Sequence, residues 1–179
     1  VVWYDSTKMV DNGDVSSDGD LVSKWTDQNG NLTITQGSSA SQPEYRTNIK
    51  NGNPALYFDG GSDKLNADGA TLSQPFTTVC VGVYTASDAG GPWCSYNQNL
   101  PLERWAPNNN SPGHDAGKSL SNGVNDNNWN ITIGLFNGSN SYVRRNGTTQ
   151  STGGIGSKSL DLINVGDETD TQLTGYIAE

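Results

Sequence analysis

The run Phe76–Tyr84, FTTVCVGVY, limits what this chain can fold into more than any other stretch. In an extended strand, successive side chains point to opposite faces. Val79, Val81 and Val83 then share one face, and Phe76, Cys80 and Tyr84 share the other. Both faces carry apolar residues, which predicts a central strand with a sheet built on both sides of it. Helix does not compete for the chain. No apolar stripe at i, i+3, i+4 is sustained over three turns.

The other apolar runs are short and bounded by turn residues. Val1–Tyr4 (VVWY) reads as a first strand, and Leu32–Thr35 (LTIT) as a further one. Leu21–Thr26 (LVSKWT) alternates, with Leu21, Ser23 and Trp25 on one face. Ala55–Phe58 (ALYF) lies between Pro54 and Asp59-Gly60-Gly61, as a buried strand running into a tight corner does. Pro92–Tyr96 reads as an antiparallel return, and Leu102–Trp105 as a short extended piece. Asn108–Asn128 reads as a long loop with one short strand. Trp129–Phe136 (WNITIGLF) is a second strong strand. Asn146-Gly147 sits between extended residues, the strongest short-range hairpin signal. Leu160–Val165 and Thr174–Ala178 complete the series. About a dozen short strands punctuated by Gly, Asn and Asp predict an all-β fold, an antiparallel two-sheet β-sandwich or jelly roll.

At 179 residues the chain suits a single domain, 1–179, with enough length to bury a core. The net charge of −9 argues against nucleic acid and against an anionic membrane surface as partners. No apolar run is long enough to cross a bilayer, so membrane insertion is not expected. Cys80 and Cys94 leave two readings open: a cross-strand disulfide, if their segments form a hairpin, or two buried thiols.

Taken in order, VVWYDS, an acidic DGD loop, VSKWTDQNGN, QPEYRTN, NGNPALYFDGGSDKL and TGYIAE form a recognisable series. It resembles the laminin-G-like jelly-roll domains of the concanavalin A-like lectin/glucanase superfamily. That resemblance implies two large antiparallel sheets, one of them concave. It also implies an extracellular or virion-surface setting, and residues after Glu179 that complete the last strand. Lectin-like folds often hold calcium.

Function must be argued from a site. Glycoside hydrolysis needs two carboxylates flanking the bond. Catalytic members of the superfamily use a Glu-x-Asp-x-x-Glu strand motif, and none of Glu44, Glu103, Glu168 or Glu179 stands in one. The reading is therefore not an enzyme and has no catalytic residues. Asp11, Asp14, Asp18 and Asp20 offer hard oxygens to a calcium ion but lack EF-hand spacing, so they read as a solvated acidic turn. Asp59, Ser62 and Asp63 are a second such set, with corner geometry as the plainer account. No metal site and no cofactor are expected, Ca2+ being the one candidate. His114, the only histidine, reads as an exposed loop residue or a ligand contact.

Sugars bind on flat aromatic faces, with polar side chains bonding their hydroxyls. Trp3 and Trp25 lie in strand-like runs and read as core. Trp93, Tyr96, Trp105 and Trp129 occupy the middle segment, where each is either core or ligand platform. Trp105 with Arg104 is the favoured ligand pair, and Trp93, Tyr96, His114 and Asp115 complete the carbohydrate-binding set. The expected function is a non-catalytic module that binds a glycan or cell-surface polysaccharide. A structural subunit acting on other virion or assembly subunits is the first alternative, and a polysaccharide hydrolase or lyase the second.

Overall fold

The structure is a computed structural model that describes residues 1–85, 90–95, 100–105, 113–121, 127–168 and 171–179. For 68–70, 90–95, 100–105, 113, 161–162, 167–168 and 171 the backbone alone is described. In chain order the strands are β1 (Lys24–Thr26), β2 (Thr33–Thr35), β3 (Glu44–Lys50), β4 (Asn53–Asp59), β5 (Leu65–Leu72) and β6 (Phe76–Tyr84). Next come β7 (Gly90–Ser95), β8 (Leu100–Trp105), β9 (Gly113–Asp115), β10 (Ser119–Ser121), β11 (Asn130–Phe136) and β12 (Ser141–Arg145). The last are β13 (Thr148–Gly153), β14 (Leu160–Val165), β15 (Asp167–Glu168), β16 (Thr171–Gln172) and β17 (Thr174–Ile177). Among the described residues the only helical turns are three short 3-10 pieces, so the fold is all-β. None is long and apolar enough to cross a membrane.

Apart from β15 and β16, which pair only with each other, the strands form an antiparallel two-sheet sandwich. One sheet runs β1-β2-β5-β14-β7-β8-β9-β10, and the other runs β13-β12-β11-β6-β17-β4-β3. β6 lies inside the second sheet, between β11 and β17, as its two apolar faces predict. Leu56 and Phe58 of β4, Cys80 and Tyr84 of β6, Phe136 of β11 and Ile177 of β17 point inward. They pack on Trp25, Ile34, Leu65, Ile163 and Val165 of the other sheet. The hairpin turns use Asn-Gly twice. Asn51-Gly52 joins β3 to β4 and Asn146-Gly147 joins β12 to β13, all four residues having positive φ. Those dihedrals match the twist of the flanking strands.

Four sequence expectations need correction. LVSKWT is not one strand. Leu21 bridges Glu44 in one sheet, whereas Lys24–Thr26 pairs with β2 in the other. The chain changes sheets between them, so Val22 and Trp25 are both buried while Leu21 is exposed. The segment Val1–Tyr4 is extended in sequence character but forms no strand, and Trp3 is 46% exposed rather than core. β7 does not return along β6, whose two edges are taken by β11 and β17; it pairs with β14 and β8 instead. Cys80 and Cys94 therefore sit on strands of different sheets that do not pair with each other, and the hairpin that a cross-strand bridge requires is not formed. His114 lies on β9, not in a loop, and is fully buried.

Candidate functional site

The outer face of the second sheet carries the best-formed candidate. In β4, Leu56 and Phe58 face the core, so Tyr57 between them must face outward. In β17 the same alternation turns Ile177 inward and Tyr176 outward. Register then brings distant residues together. Tyr176 stands directly opposite Tyr57 on one side and Val83 on the other. The Tyr57 and Tyr176 rings lie 5.0 Å apart at 42°. Trp129, just before β11, reaches over toward Tyr176, with ring centroids 6.4 Å apart at 31°. Val83 is only 5% exposed although it faces away from the core. Trp129, Tyr176 and Tyr57 thus make a half-buried aromatic ridge running across the strands.

The ridge has a polar end and an apolar flank. Glu44 pairs with Tyr57 in the β3–β4 register, and Arg46 bonds the Glu44 carboxylate. Burial, and after it the neighbouring Tyr176, Asp59, Glu44 and Asp63, raise the pKa of the Tyr57 hydroxyl. It therefore stays protonated near neutrality and is able to donate a hydrogen bond. Toward β11 and β12 the face continues as Val81, Val79, Ile131 and Ile133, with Val79 49% and Ile131 48% exposed. At its far side the Arg144 guanidinium lies 4.7 Å over the Tyr142 ring.

The six residues singled out from sequence have different settings. Trp93, Arg104, Trp105, His114 and Asp115 do fall on the adjacent strands β7, β8 and β9. Trp93 and His114 both stand opposite Glu103, and Arg104 stands opposite Gly113. Tyr96 lies outside the described residues. The His114 ring packs 5.6 Å from Phe136 and close against Gly134, so it is a core side chain, not a contact open to ligand. Asp115 is half-buried and accepts from the Gly117 N–H and the Ser119 hydroxyl, which holds the β9–β10 turn.

The acidic loop is spent on the fold. Asp14 accepts from the Thr26 N–H and hydroxyl and pairs with Lys24 at 3.2 Å. Asp18 accepts from the Thr47 N–H, and Asp20 from the N–H groups of Ser16 and Ser17; these bonds lower both pKa values. The four carboxylates aim at different partners, and no metal-ligand group of three or more exists among the described residues. At the corner after β4, Asp63 accepts from the Asp59 N–H. Burial, reinforced by the Asp59 and Glu44 charges, pushes its pKa up to about 6.

In the sequence Tyr57 reads as part of a buried ALYF strand, and nothing in TGYIA marks Tyr176 as a site residue. The available signal was period two, which sets Tyr57 apart from Leu56 and Phe58. No family model, no curated protein and no solved structure matches the chain.

Proposed function

We propose that this protein is a non-catalytic carbohydrate-binding module of an extracellular or virion surface, built on a concanavalin A-like, laminin-G-like sandwich. The observation that carries the reading is the ridge of Trp129, Tyr176 and Tyr57 on an open sheet face. Aromatic faces pack against the C–H faces of sugar rings, and the Tyr57 hydroxyl with Glu44 and Arg46 supplies hydrogen bonds to sugar hydroxyls. Such binding needs no covalent chemistry and no metal. The ridge runs across the strands, which suits an elongated glycan more than a single sugar.

A second reading is favoured by Val79 and Ile131, whose exposed aliphatic side chains are better matched to protein than to sugar. In it the same face contacts another assembly subunit. A glycan array separates the two. The lectin reading expects wild type to bind a defined set of glycans, with loss in Tyr176→Ala and retention in Trp105→Ala. Loss in Trp105→Ala alone would move the site to β8, and no binding by wild type would sink the lectin reading.

A further inference from the structure

Along β6 the outward side chains are Val83, Val81, Val79 and Thr77, in steps of about 7 Å. Val83 stands opposite Tyr176, at the ridge, and is covered. Val81 and Val79 lead away from the ridge. On β11, Ile131 stands opposite Val81 and Ile133 opposite Val79. Val79 and Ile131 are therefore diagonal neighbours, close enough for one bound group to touch both, and each is half-exposed. The four side chains make an aliphatic strip. It starts where Trp129 approaches Tyr176 and runs along the strands, whereas the ridge runs across them.

The strip is as poor in charge as the far end of the ridge is rich in it. β6, β11 and β12 carry no Asp or Glu, although the chain has 19. Their only charges are Arg144 and Arg145, and the Arg144 guanidinium is held over the Tyr142 ring. Glu44, Arg46 and Asp59 stand on β3 and β4, at the Tyr57 end. The face thus grades from hydrogen-bonding groups, across three aromatic rings, to bare aliphatic surface. Covering that last part with an apolar group takes no carboxylate out of water.

We propose that ridge and strip form one site for an amphiphilic saccharide, a glycan that carries an alkyl or acyl chain. The assignment rests on the glycan reading of the ridge and adds the class of glycan. Sugar rings lie on Trp129, Tyr176 and Tyr57, and the chain turns down β6 over Val81, Val79 and Ile131. A plain polysaccharide leaves Val79 and Ile131 in water. A stable protein complex buries roughly 800 Å² on each partner, far more than a strip two strands wide with two half-exposed side chains supplies. An alkyl chain needs only such a strip, and each methylene group it buries is worth roughly fourfold in affinity.

The test is a calorimetric titration of the array-selected glycan carrying either a methyl or an octyl group at its reducing end. The octyl form is kept below its micelle concentration, and 1-octanol serves as the chain without a sugar. Wild type is expected to bind the octyl form at least about tenfold more tightly than the methyl form, the effect of two buried methylene groups. Val79→Thr/Ile131→Thr keeps the β-branched shape. It is expected to bind the methyl form as wild type does and to lose most of the octyl gain, because a hydroxyl covered by an alkyl chain has no partner. Equal affinity for the two forms, with methyl-form binding still lost in Tyr176→Ala, would overturn this proposal and leave the ridge reading standing. So would an undiminished gain in the double variant, or 1-octanol binding as tightly as the octyl form. No binding of either form, or equal methyl-form binding by Tyr176→Ala, would overturn the ridge reading and this proposal with it. A wild type that sediments as a dimer, with the double variant a monomer, would give the strip to a second copy and overturn the proposal.

Discussion

His114 and Gly134 are matched in size. A Cβ on Gly134 would lie 2.2 Å from His114 Cδ2 and 2.6 Å from Nε2. Neither sheet can move apart without opening the core, so Gly134→Ala is expected to cost about 1–3 kcal/mol, read as a lower midpoint in urea unfolding. An unchanged midpoint would mean that the His114 ring is free to move. Thr132, two residues earlier on the same inward face, makes the opposite case. Its hydroxyl is fully buried and has no hydrogen-bond partner among the described residues. Thr132→Val keeps the shape and removes the unpaired group, so it is expected to stabilise by about 1 kcal/mol. Destabilisation in the same unfolding experiment would show that the hydroxyl has a partner.

At the scale of elements, carboxylates act as fasteners. Asp14 ties the N-terminal loop to β1 through Thr26 and Lys24. Asp14→Ala strands the Thr26 amide and is expected to cost about 2 kcal/mol. Because each acidic side chain of that loop already has protein donors, the melting midpoint is expected to be the same in calcium and in chelator. A rise in calcium would contradict this. Asp63 is the reverse, a carboxyl the fold holds with its pKa raised to about 6 against 3.8 in the unfolded chain. Its contribution is complete below about pH 4 and is lost as pH rises through 6. Asp63→Asn should therefore match wild type near pH 4 and gain about 1–2 kcal/mol over it by pH 7. A pH-independent difference would assign the effect to packing.

Elements were also the level best read from sequence. Phe76–Tyr84, Trp129–Phe136, the Asn146-Gly147 hairpin and Leu160–Val165 announce themselves because strand period and turn chemistry are local. VVWY and LVSKWT misled for non-local reasons. The first bonds Asp27 and Gln28 through the Trp3 main chain without entering a strand ladder, and the second changes sheets within its length. His114 misled because Gly and Asp flank it as in a loop, whereas its burial depends on Gly134 and Phe136 across the sandwich.

At the scale of the molecule, the candidate site is a product of register. Tyr57, Tyr176 and Trp129 come from three distant parts of the chain and meet because β17 inserts between β4 and β6. A sequence shows that Tyr57 faces away from Leu56. It does not show which strand will lie beside it. An aromatic at a strand end, such as Trp105, shows in the sequence, whereas a ridge assembled across a sheet does not. The two faces of β6 have different fates. The Phe76, Cys80 and Tyr84 face closes the core, while on the valine face Val83 is covered beside Tyr176 and Val79 stays exposed, flanking the ridge.

The most direct test is a calorimetric titration of an array-selected glycan into wild type and into Tyr176→Ala. Removing the middle ring breaks the ridge yet leaves the inward side of β17 intact, so folding is expected to persist. The ridge account predicts saturable binding by wild type and at least about a tenfold loss in the variant, the scale of one aromatic contact. Equal affinity in the two proteins, with both folded, would contradict it.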